Sequence, residues 1–120
     1  MPTLEYLNKA SGLVRRICEE IDQLGFPVGS ETILPDLAGA QFETSKDPYS
    51  GELTRQSKWI DKDGIRLGEI KIHGDGSFYG EFDVLRPHPR NPEWFVESIV
   101  VWGKDEILKS EPRLIRAIGD

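Results

Sequence analysis

Cysteine is almost absent: Cys18 is the single one in 120 residues. That excludes an intramolecular disulfide, and with it the cross-linked secreted scaffold that small domains use in place of a core. Histidine is nearly as scarce, with only His73 and His88. A zinc centre of three or four ligands would have to recruit carboxylates, so no metal and no cofactor is expected. Long apolar runs are missing too. The longest, Ile99-Val100-Val101-Trp102, falls far short of the roughly 20 residues that cross a bilayer as a helix. The first residues show no basic segment leading into an apolar run, so the sequence predicts neither a signal peptide nor a membrane span. A reducing, cytoplasmic setting is the expectation.

The chain also lacks positive charge. Lysine and arginine number 15 against 21 acids, a net charge of −6, and no third of the chain is net basic. Proteins that bind nucleic acid draw much of their affinity from cations neutralising phosphates, so a nucleic-acid partner is not expected. A local cationic patch that takes a small anion is still compatible with this balance.

What is present fits one globular domain spanning 1–120, with 38% hydrophobic and 30% charged residues. Leu4, Leu7, Ala10, Val14, Ile17, Ile21 and Leu24 recur at intervals of three and four, which predicts a helix over 3–24. Thr3 suits the N-cap, and Gly25 before Phe26-Pro27 supplies the stop. Ser11-Gly12 predicts a weak point in the middle, since glycine in a helix interior costs about 1 kcal/mol against alanine. Residues 25–52, rich in Pro, Gly and Ser, read as an irregular connection with room for a short strand near 40–44.

From Leu53 the pattern changes to strands. Asp61-Lys62-Asp63-Gly64 and Gly74-Asp75-Gly76 are hairpin turns by composition, and they divide strands over about 53–60, 65–73 and 77–86. The first of these is polar, as an edge strand would be. In the second, the inward parity changes from Ile65 and Leu67 to Ile70 and Ile72, which predicts a bulge at Gly68-Glu69. Three prolines make 86–92 a stiff connector. Trp94–Trp102 reads as a fourth strand, apolar on both faces, which completes a meander over 53–102. In the C-terminal segment, 104–120, Pro112 either starts a short helix over 112–118 or interrupts an edge strand, and the helix is preferred. The fold class expected is α+β: an N-terminal helix on an antiparallel sheet of four or five strands, closed by a short C-terminal helix or strand.

Several residue groups carry chemistry. His73, Asp75 and His88 have a proton-transfer flavour, although a turn-flanking and a loop histidine are the simpler reading. Glu81 and Asp83 lie on one face of one strand beside Tyr79, an arrangement that suits acid/base work when the two environments differ. Arg86, His88 and Arg90 alternate with prolines next to Trp94, and rigid guanidinium groups recognise carboxylates and phosphates by paired hydrogen bonds. The 61–64 turn resembles the start of a calcium loop, but its twelfth position is Ile72 and not the required acid. The glycines at 74, 76 and 80 lead into a strand and not a helix, which excludes a phosphate-cradling loop.

Three functions follow as expectations. The first is a non-enzymatic binding or accessory module, as a homodimer or with a protein partner, that uses a sheet face, the 25–52 loop and the stretch from Arg86 to Trp94. It rests on an apolar surplus that one helix cannot cover. The second is a small hydrolase- or isomerase-like enzyme using His73, Asp75, Glu81, Asp83 or His88. The third is an anion or acidic-peptide binder using Arg86, His88 and Arg90.

Overall fold

The computed structural model describes residues 3–116. Helix α1 runs Leu4–Leu24 without a break, so Ser11-Gly12 does not interrupt it. Thr3 caps it, its hydroxyl accepting from the Tyr6 amide at 3.1 Å, and Gly25 ends it in the left-handed region at φ 93°. The buried stripe is Tyr6, Ala10, Leu13, Ile17 and Ile21. This is rotated from the periodic stripe, and Leu4 is left 73% exposed. Tyr6 takes the inward place because its hydroxyl finds a buried partner, Ser57 Oγ, at 2.7 Å.

The 25–52 connection holds more structure than its composition suggests. It contains the one-turn α2 (Ser30–Ile33), a 3-10 turn over Leu37–Gly39 and strand β1 (Gln41–Lys46). Trp59 Nε1 donates to the Asp36 carbonyl at 3.1 Å, which fastens this segment to the sheet. Five strands follow: β2 (Leu53–Ile60), β3 (Arg66–His73), β4 (Ser77–Pro87), β5 (Trp94–Lys104) and β6 (Ile107–Arg116). All six form one antiparallel sheet in the order β1-β2-β3-β4-β5-β6.

Four expectations change accordingly. The sheet has six strands and not four or five. The strand over 53–60 is interior, and β1 takes the edge beyond it. Residues 107–116 are an edge strand and not a helix, since a proline can sit in an edge strand when its nitrogen faces away from the ladder. The rest of the expected helix, 117–118, lies outside the described residues. The predicted bulge falls one position earlier, where Trp59 pairs with Gly68 and Ile60 with Arg66, so that Leu67 is the extra residue. A second irregularity sets Val84-Leu85 against Glu97. A third, between β5 and β6, leaves Glu97 as the extra residue of β5 and moves Val96 onto the same side as Ile99 and Val101, all three fully buried.

α1 covers one face of the sheet. A single hydrophobic cluster joins its buried stripe to Trp59, Ile70, Phe78, Phe82, Val84, Val96, Ile99 and Val101. No helix among the described residues is long and apolar enough to cross a membrane.

Candidate functional site

The face of the sheet away from α1 has no covering element among the described residues, and strand alternation decides what it displays. Cross-strand pairing sets Lys58, Glu69 and Glu81 in one row, followed by Val100 and Glu111. The next row is Gln56, Lys71, Tyr79, Trp102 and Lys109. The apolar side of β5 that the sequence leaves over is thus largely enclosed by longer polar neighbours. Val100 is buried between Glu81 and Glu111, and Ser98 between Asp83 and Arg113.

An ordered polar network occupies the centre. Tyr79 Oη donates to Glu81 Oε1 at 2.6 Å. Arg66 lies 3.2 Å from Glu81 Oε2, 3.5 Å from Glu69 Oε1 and 3.9 Å from Asp83 Oδ2. Lys71 meets Glu69 Oε2 at 3.4 Å, and Gln56 donates to Glu69 Oε1 at 3.3 Å. One guanidinium therefore serves three carboxyls. Glu81 and Asp83 stand two positions apart on one face of β4, close enough for each to shift the other's protonation, and they divide a proton unequally. Burial, then the hydrogen bond and negative charge of Glu81, push Asp83 up to about 6. Burial works against the Glu81 carboxylate too, but the hydrogen bonds from Tyr79, Asp83 and Arg66 outweigh it and hold Glu81 below its usual range. Burial and donation to Glu81 push the Tyr79 phenol up to about 12, so Tyr79 remains a donor. Chemically, the pair can hold one proton, release it near neutrality, or accept a cation in its place.

The other residues singled out from the sequence lie elsewhere. His73 ends β3, with Nδ1 2.8 Å from Thr54 Oγ1, and lines a cleft beside α1. Asp75 sits in the adjacent turn and accepts from the backbone and hydroxyl of Ser77. His88 stands beyond the opposite end of the 11-residue β4, about 35 Å along the strand, and accepts from the Arg90 amide. His73, Asp75, Glu81, Asp83 and His88 do not converge on one place. No group of three His, Cys, Asp or Glu among the described residues is placed to hold a metal ion.

The cationic connector is also divided. Arg90 donates to the Gln23 carbonyl at 3.4 Å and closes the C-terminal end of α1, where a positive charge opposes the helix dipole. Trp94 lies under the Arg116 guanidinium, 5.3 Å from it. Arg86 remains exposed on β4. Arg66 and Glu69 carry no signal in the sequence, because their part appears only once the β3–β4 register sets Glu69 opposite Glu81.

Comparison of the chain with protein-family models, with curated proteins and with solved structures found no match.

Proposed function

We propose that the chain is a non-catalytic binding module that takes a basic protein partner on the open face of its sheet. The Glu81–Asp83 pair carries this reading. Two carboxyls are held side by side on an uncovered surface, with Arg66 divided between them and Glu69. An incoming guanidinium or ammonium group brings positive charge to Asp83, which burial and then Glu81 push up to about 6, and so gains more there than at an isolated acid. Tyr79 and Trp102 stand opposite each other across β4 and β5, and offer flat, half-buried aromatic surface beside the acids. The 25–52 segment takes part through β1, which brings Glu43 to the same face.

Calorimetric titration with an oligo-arginine peptide tests the reading. Glu81→Gln combined with Asp83→Asn should weaken binding at least about tenfold. Removing two acids from the turns, by Asp63→Asn with Glu106→Gln, should change it little. Equal losses in both variants would reduce the effect to net charge and overturn the proposal.

A further inference from the structure

A cleft of about 570 Å³ opens on the other face of the sheet, between the first turns of α1 and the ends of β2 and β3. Its volume falls within the range of small-molecule sites. Tyr6 and Ile72 give it apolar wall, and Arg55 and Lys9 give it hydrogen-bond donors.

Arg55 is the unusual member. Strand parity turns it to the same side as Ser57 and Trp59, which are buried beneath α1, and Ile72 is its cross-strand partner. It is half-buried, yet no acid and no carbonyl engages its guanidinium among the described residues. Elsewhere Arg66 and Arg90 both have partners. A guanidinium turned inward beside an apolar wall, with no partner, has its hydrogen-bond fork available to a ligand. Lys9 is fixed differently, donating to the Asp105 carbonyl at 2.7 Å while standing 4.4 Å above the Phe78 ring.

The acids on the wall define the ligand's charge. Glu5 and Asp105 also line the cleft, so its formal charge is balanced against Lys9 and Arg55. A polyphosphate would meet both carboxylates, whereas one carboxylate can pair with Arg55 alone. We propose that this cleft binds a small organic monocarboxylate, with the carboxylate on Arg55 and its apolar body against Tyr6 and Ile72.

Heteronuclear NMR titration tests this with three ring compounds of similar shape: benzoate, neutral benzamide and phenyl phosphate. Benzoate at about millimolar concentration should shift the resonances of Arg55, Tyr6 and Ile72 and leave Glu81 and Asp83 unmoved. Benzamide should bind at least about tenfold more weakly, and Arg55→Gln should reduce benzoate binding by a similar factor. The benzamide comparison uses the unaltered chain, so it stands whether or not the variant folds. Benzamide binding as well as benzoate, tighter binding of phenyl phosphate, or no shifts in the cleft would each overturn the proposal.

Discussion

Trp59 and Phe82 meet edge to face, with ring centroids 6.0 Å apart and planes at 88°, although they belong to strands that are not neighbours. β3 lies between them, and it presents Gly68 at the crossing: Trp59 pairs with Gly68, and Gly68 with Phe82. The missing side chain gives the two rings their contact. A β-carbon there would sit 2.6 Å from the Glu81 carbonyl oxygen and 2.9 Å from the Phe82 ring. Gly68→Ala is therefore expected to destabilise the fold by about 2 kcal/mol, as overpacking of a close-packed core does. Urea denaturation followed by tryptophan fluorescence checks it, and an unchanged midpoint would show that the sheet yields at this point.

The shared proton on the opposite face makes stability depend on pH in a defined direction. Burial, then the hydrogen bond and charge of Glu81, push the Asp83 carboxyl up to about 6 in the folded chain, above the ordinary carboxylate range. The folded state thus holds this proton more tightly than the unfolded state. Its contribution is fully present below about pH 4 and is lost as pH rises through about 6. Asn at this position cannot ionise, so Asp83→Asn should raise the melting temperature at neutral pH and have a much smaller effect at about pH 4. Thermal melts across that range test the sign. A variant less stable than the parent at neutral pH would contradict the arrangement.

The two edges of the sheet are protected in different ways. β1 is short and polar, whereas β6 is ten residues long, with Ile107, Leu114 and Ile115 exposed. Pro112 interrupts its free edge, because the proline nitrogen that makes no bond to β5 faces outward and offers no donor to another chain. Pro112→Thr should restore that donor and increase self-association, read by light scattering over a dilution series. An unchanged mass would mean that Pro112 does not guard this edge.

Local patterns made α1, the two glycine turns and the central strands legible, because spacing, caps and turn residues act over a few positions. Thr3 and Gly25 mark the ends of α1 as their chemistry requires. What escaped depended on partners distant in sequence. β1 is polar enough that only a short strand near 40–44 is legible, and its full length and edge place come from pairing with β2, while β6 contains a proline that reads as a helix start until its edge position is known. The site follows the same rule. Glu81 and Asp83 share a face by alternation alone, but Arg66 and Glu69 join them only through the β3–β4 register. Arg90 reads as an anion ligand in the sequence, and its contact with the Gln23 carbonyl at the end of α1 shows only in the structure.

The most direct measurement is a heteronuclear NMR map of an oligo-arginine peptide titrated onto the chain near neutral pH. Binding on the open face predicts perturbations confined to that face, centred on Tyr79, Glu81, Asp83 and Trp102, and lost in the variant that carries both Glu81→Gln and Asp83→Asn. Perturbations centred on the exposed side of α1 or on the turns, or a map unchanged in that variant, would contradict it.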